Sequence, residues 1–175
     1  TTIPAYDSSN WQPVRDKTGT AFTDPSGVGN SEFTPNFGAI DLSSAGGSPI
    51  DWFSSGTGCA IYFRIQTHQD AAVSRGIFNG IWLIAIGRVV NGVSKTLAWT
   101  GINGDGANKD SEVYVYNPAT AAKTYTAVVT DSGSNSDDGW AQSGSVGGTT
   151  RYWIAWKVPY SNISSLAGSA PIGMF

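Results

Sequence analysis

The sequence predicts an all-β fold: a single antiparallel, jelly-roll-like β-sandwich over residues 1–175, with long loops and at most one short helical turn near 161–166. Three observations carry this. Beyond Cys59 the chain falls into short stretches that alternate apolar and polar residues, the period of a half-buried strand. Gly-, Asn- and Ser-rich turns separate these stretches, and Asn91-Gly92 between two of them is the preferred pair for a two-residue type I′ hairpin. Finally, Pro4, Pro13, Pro25, Pro35 and Pro49 interrupt the first third so often that no helical period survives there.

Taken in order, residues 1–55 read as extended and loop-rich, with short strands expected at Pro13–Arg15 and Phe37–Leu42. Ile61, Phe63 and Ile65 alternate with Tyr62, Arg64 and Gln66, a half-buried strand. Ile81–Ile86 (IWLIAI) is almost continuously apolar, as in a central strand covered on both sides. The Asn91-Gly92 turn pairs Ile81–Val90 with Val93–Trp99. Glu112–Tyr116 places Val113 and Val115 opposite Tyr114 and Tyr116. Tyr125–Thr130 follows, and then Arg151–Val158, where Tyr152, Ile154, Trp156 and Val158 share a face. Pro159 stops that strand, Ser161 is placed to cap a turn running to Leu166, and Ile172–Phe175 begins a last strand.

Charged residues make up only 13% of the chain, about half of the roughly 25% usual for soluble domains. Solubility therefore rests on hydroxyls, amides and backbone, a composition expected of a secreted or cell-surface protein. The net charge is −3 and the ten Lys and Arg are scattered, so neither nucleic acid nor an anionic membrane is an expected partner. No apolar run reaches the ~20 residues of a spanning helix, so membrane insertion is not expected. The single cysteine, Cys59, is read as a small buried hydrophobe.

Five features follow one another: DSSNWQPVR (Asp7–Arg15), AIYFRIQ (Ala60–Gln66) before IWLIAI, the turn NGDGANKDSE, EVYVY, and RYWIAWKVPYSNISSL. Their order resembles bacterial and archaeal surface domains of the family-9-like carbohydrate-binding, DOMON-like, β-sandwich type. That resemblance implies an extracellular jelly-roll-like sandwich, often with calcium and sometimes with a sugar or haem pocket. Haem in such domains takes Met and His ligands. Here only His68 and Met174 are available, near the ends of different strands, so haem is not expected.

Calcium is the one candidate cofactor. Asn103, Asp105, Asn108, Asp110 and Glu112 set hard oxygen donors on a Gly-rich turn, and Asp137 and Asp138 are adjacent like charges that a cation would relieve. The same residue types are also ordinary turn formers. Trp11, Trp52 and Trp140 lie in loop-like contexts and are the candidates for stacking on sugar rings, whereas Trp82, Trp99, Trp153 and Trp156 lie on strands and are expected to pack. Asn162-Ile-Ser164 is the one glycosylation sequon.

No nucleophile elbow, zinc-protease helix motif or phosphate loop is present, and His68 is the only imidazole. Asp41, Asp51, Asp70 and Glu112 could supply a carboxylate pair, but nothing in the sequence brings two together. The chain is therefore not expected to be an enzyme. Thr1, Thr2, Ile3, Pro4, Ala5 and Tyr6 form an uncharged extended segment suited to exchange between subunits by strand addition. Two functions follow. The first is a non-catalytic extracellular structural protein, a subunit of a surface layer or filament whose partner is itself. The alternative is a carbohydrate-binding or adhesion module whose partner is an extracellular polysaccharide.

Overall fold

A computed structural model of the chain describes residues 3–15, 18–21, 48–55, 59–67, 81–104, 111–129, 138–167 and 173–174. The expected strand at residues 37–42 lies outside the described residues. The described elements are β1 (Gln12–Pro13), β2 (Ile50–Ser55), β3 (Ala60–Thr67), β4 (Ile81–Val90), β5 (Val93–Asn103), β6 (Ser111–Asn117), β7 (Ala122–Val129), β8 (Gly139–Val146), β9 (Thr149–Pro159), α1 (Tyr160–Ala167) and β10 (Gly173–Met174). They form two antiparallel sheets, ordered β1-β2-β3-β9-β8 and β10-β4-β5-β6-β7. The all-β sandwich is as the sequence predicts.

The core lies between the sheets, and strand alternation builds it. Ile61, Phe63 and Ile65 of β3 and Ile154, Trp156 and Val158 of β9 face Trp82, Ile84 and Ile86 of β4, Ala98 and Ile102 of β5 and Val113 and Val115 of β6. Each large side chain buried in this way contributes about 1.5–3 kcal/mol. Trp156 sits at the centre, fully buried and 5.8 Å from the Phe63 ring. Its indole N–H donates to Thr100 Oγ1 at 3.1 Å, and that hydroxyl donates to the Tyr114 carbonyl at 3.1 Å. Ile163 of α1 closes one end of the core.

The Asn91-Gly92 hairpin forms as its residues demand, with φ of 52° and 76°. Gly147 and Gly148 make a second such turn between β8 and β9, with φ of 59° and 81°. α1 begins at Tyr160, whose N–H donates to the Cys59 carbonyl at 2.7 Å, so Ser161 lies inside the first turn instead of capping it.

Several expectations need correction. β3 is buried on both faces, because a second apolar cluster covers its outer side. β4 is not covered on both sides: Ile81 and Leu83 face solvent. Trp99, expected to pack, is exposed on the outer face of the second sheet. Cys59 is exposed, because the chain takes a left-handed turn there (φ 48°) just before β3 begins. β2 and β8 are strands where the sequence predicts loop.

Candidate functional site

Three surfaces of the sandwich carry features that core packing does not account for. The first is the outer face of the β1–β2–β3–β9–β8 sheet, where the N-terminal segment lies as a strap. Ile3 and Trp11 are buried there against Ala60, Tyr62, Trp153 and Ala155. Tyr6 stacks on Trp153 with ring centroids 4.8 Å apart. The backbone of Tyr6 is bound at both ends: its N–H donates to Gln142 Oε1 at 3.2 Å, and its carbonyl accepts from Arg64 Nη1. Arg64 also lies 4.8 Å from the centroid of the Trp11 ring and donates from Nε to Asp51 Oδ2 at 2.7 Å. Trp11 in turn donates from its indole to the Ala5 carbonyl at 2.9 Å.

The strap is thus held by side-chain seats, while ladder pairing to the sheet begins only at Gln12. Gly144 is essential to this seat, because a Cβ there would run into the Tyr6 ring. Gly144→Val is therefore expected to lift the strap and to cost about 1–2 kcal/mol through loss of the aromatic stack and its burial. Chymotryptic cleavage after Tyr6 should accelerate well beyond the wild-type rate, and an unchanged rate would contradict the seat.

The second surface is the free edge of the other sheet. β10 pairs with β4 only at Gly173↔Gly87 and Met174↔Ile86. Among the described residues, no strand lies beside Ile81–Ala85 on the side away from β5, although Trp82 and Ile84 in that stretch belong to the core. The Trp82 indole N–H is buried there without a hydrogen-bond partner.

The third surface is the outer face of that same sheet. Across the strands, Ile81, Asn103, Glu112 and Val128 form one row, and Leu83, Gly101, Tyr114 and Thr126 the next. Trp99 and Tyr116 stack beyond them, centroids 5.8 Å apart. Lys123 pairs with Glu112 and lies 5.1 Å from the centroid of the Tyr114 ring.

The calcium candidates fall on two sheets. Asn103 and Glu112 are register partners on β5 and β6, and Glu112 is engaged by Lys123. Asp138, at the start of β8, pairs with Lys157 at 3.3 Å. Asp105, Asn108, Asp110 and Asp137 lie outside the described residues. The strand ends that flank the two acidic loops do meet, since a Cβ on Gly139 would touch Ile102 and Val129. Among the described residues no three His, Cys, Asp or Glu side chains gather as a metal site.

Asp138 and Lys157 line a cleft of ≈ 260 Å³ with Cys59, Ala60, Tyr62, Tyr125 and Pro159. Burial, and then the charge of Asp138, pushes the Tyr125 hydroxyl above its ordinary pKa.

Of the stacking candidates, Trp11 is buried against the sheet as part of the strap, so its ring is not open for stacking. Trp52 is half-buried on β2 and packs against the core. Trp140 lies on β8, and its side chain is outside the described residues. The open aromatic pair, Trp99–Tyr116, was missed, because a ring on a strand reads the same whether or not its face is covered. Of the N-terminal candidates, Ile3, Pro4, Ala5 and Tyr6 lie in the strap, while Thr1 and Thr2 are outside the described residues. Asn162, half-buried on α1, donates to the Thr124 carbonyl at 3.0 Å.

No helix among the described residues is long and apolar enough to cross a membrane. No protein-family model, curated protein or solved structure matches the chain.

Proposed function

We propose that this chain is a non-catalytic structural subunit of an extracellular layer or filament, joined to its neighbours by strand addition. The observation that carries this reading is the edge of β4. Beyond the two-residue β10, the backbone of Ile81–Ala85 has no strand beside it on the side away from β5 among the described residues, although Trp82 and Ile84 on that stretch are core residues. Among the described residues, this stretch offers about 16 Å of edge whose N–H and C=O groups on the side away from β5 face no strand. Such an edge is a template for another strand unless lysines, prolines or bulges blunt it. The stretch Ile81–Ala85 holds no charge and no proline, and the irregularity in β4 comes later, between Ile86 and Gly87.

The register also favours addition. β10 runs antiparallel with Met174 opposite Ile86, so an incoming strand that continues its line would lie opposite Ala85 to Ile81. The donor in this reading is Thr1–Tyr6. Its described part is uncharged and is held on its own body by side-chain seats, which it can leave without breaking a ladder. Exchange of an identical element between copies is a low-cost route to assembly.

Negative-stain microscopy and sedimentation velocity test this directly. The full chain is expected to form polymers, and removal of Thr1–Tyr6 is expected to leave monomers with an unchanged far-UV circular dichroism spectrum. An excess of the free six-residue peptide should cap growth of the full chain. Polymers that persist without the segment would overturn strand donation.

A further inference from the structure

We infer that Tyr6 is a latch: it holds the donor segment on its own body and so limits how fast the chain assembles. This rests on the strand-addition reading above and adds the contact that regulates it.

On its own body the segment does not lie as a strand. Ile3 and Tyr6, three residues apart, both pack against the outer face of the β1–β2–β3–β9–β8 sheet. In a strand, residues three apart point to opposite faces. Ile3 is buried, and the Tyr6 ring stacks on Trp153 with centroids 4.8 Å apart. Gln142 Oε1 accepts from the Tyr6 N–H, and Arg64 donates to the Tyr6 carbonyl. The Ala5 carbonyl accepts from the Trp11 indole at 2.9 Å and from the Ser8 N–H at 3.1 Å. Ladder pairing starts only at Gln12, so the first six residues can swing out about Asp7–Asn10 with β1 left in place.

Added to the β4 edge of a neighbour, the same six residues must obey the alternation of a strand. Thr1, Ile3 and Ala5 then share one face, and Thr2, Pro4 and Tyr6 the other. Trp82 and Ile84 of β4 face the core, so the face that meets them has to be apolar. Ile3 and Ala5 meet that need. The opposite choice would bury the Tyr6 hydroxyl, which asks for a hydrogen-bond partner when buried. Ile3 thus enters the neighbour's core, while Tyr6 is left on the neighbour's outer face. Ile3 is used in both seats, and Tyr6 in its own alone.

That asymmetry makes the Tyr6 seat a brake. When only a fraction of the chains is open, the apparent affinity of assembly falls by that fraction. Contacts made in the closed form alone lower the fraction: the Tyr6–Trp153 stack, the Gln142 bond, and the space that Gly144 leaves for the Tyr6 ring. Every chain carries both an edge and a donor, and open edges invite uncontrolled pairing. A closed strap holds back the donor half of that reaction.

The test follows assembly of the full chain by light scattering, for wild type, Tyr6→Ala and Gly144→Val. Gly144→Val leaves the donor sequence untouched and acts only on its seat. Both variants should start assembly about tenfold faster, the scale of one lost aromatic stack. Opening is read without assembly, by hydrogen exchange at the Tyr6 amide in dilute monomer, and should be about tenfold faster in Gly144→Val. The free peptide of residues 1–6 has no seat to leave. With Tyr6→Ala it should cap growth as well as the native peptide does, and with Ile3→Ser it should fail to cap.

An assembly rate in Gly144→Val no higher than wild type, despite faster exchange at Tyr6, would overturn the latch. Unchanged exchange would do the same, by showing that the seat does not hold the segment. A Tyr6→Ala peptide that no longer caps would overturn it too, by placing Tyr6 in the contact with the neighbour. Polymers that persist without Thr1–Tyr6, or a chain that never polymerises, would remove the strand-addition reading itself and the latch with it, whatever the exchange rates.

Discussion

Replacing Trp156 with alanine is expected to lower the melting temperature by about 10–15 °C, the largest effect of any single truncation in this fold. Trp156 is completely buried between the sheets, and truncating a buried Trp costs about 3–5 kcal/mol in lost transfer energy and cavity. In a chain of this size each kcal/mol moves the midpoint by about 2–4 °C. The indole also anchors a relay: it donates to Thr100 Oγ1, which donates to the Tyr114 carbonyl. Thr100→Val keeps the shape of that side chain but strands a buried N–H and a buried carbonyl, so it should cost about 2 kcal/mol without opening a cavity. Thermal and denaturant unfolding of both variants checks this. A shift below about 5 °C for Trp156→Ala would mean that the two sheets do not share this core.

That the core centres on this residue could be read from local pattern. In RYWIAWKV the alternation puts Ile154, Trp156 and Val158 on one face, and the structure buries all three in the inter-sheet core. The Asn91-Gly92 turn fixed the β4–β5 pairing in the same local way. Two strands escaped because their signal is weak. β8 (GWAQSGSV) is mostly small and polar and is held by its long partner β9, while IDWFSS of β2 follows a run of Pro, Gly and Ser.

The misreadings of sites have a different cause, which is contact between distant parts of the chain. Trp11 reads as exposed because its neighbours are loop formers, yet the strap folds across a sheet made of residues some fifty to a hundred and forty positions later. That same strap turns β3 from half-buried to buried. Trp99 and Leu83 fail in the opposite direction. Their strand pattern is that of covered residues, and only the tertiary arrangement shows that no described element lies over them. Of the calcium candidates, Glu112 and Asp138 belong to different sheets and each has its own lysine, while Asp105, Asn108, Asp110 and Asp137 lie outside the described residues.

The buried pair beneath the strap gives an asymmetric result: Arg64→Met should cost about 3 kcal/mol at pH 7, and Asp51→Asn less than about 1 kcal/mol. Arg64 is tied at three points, to Asp51, to the Tyr6 carbonyl and over the Trp11 ring. Its loss leaves a buried carboxylate with no compensating charge. Asp51→Asn instead removes the buried negative charge and leaves the guanidinium two of its three partners.

The carboxyl shows which way the balance lies. Burial raises the Asp51 pKa above its ordinary 3.8, and the attraction and hydrogen bond of Arg64 only partly offset that. The folded chain therefore holds this proton more tightly than the unfolded chain does. The stability that Asp51 contributes by this route is fully present below pH 3.8 and is lost as pH rises through the raised value. Acidifying from neutral pH through that window should thus favour wild type over Asp51→Asn, which has nothing to titrate. The same acidification should shrink the deficit of Arg64→Met, because a neutral Asp51 no longer needs its partner. Urea midpoints of the three proteins measured from pH 7 to pH 4 decide the matter. A wild-type advantage over Asp51→Asn that grows toward neutral pH would show instead that Arg64 outweighs burial and that the pair stabilises the fold as an ion pair.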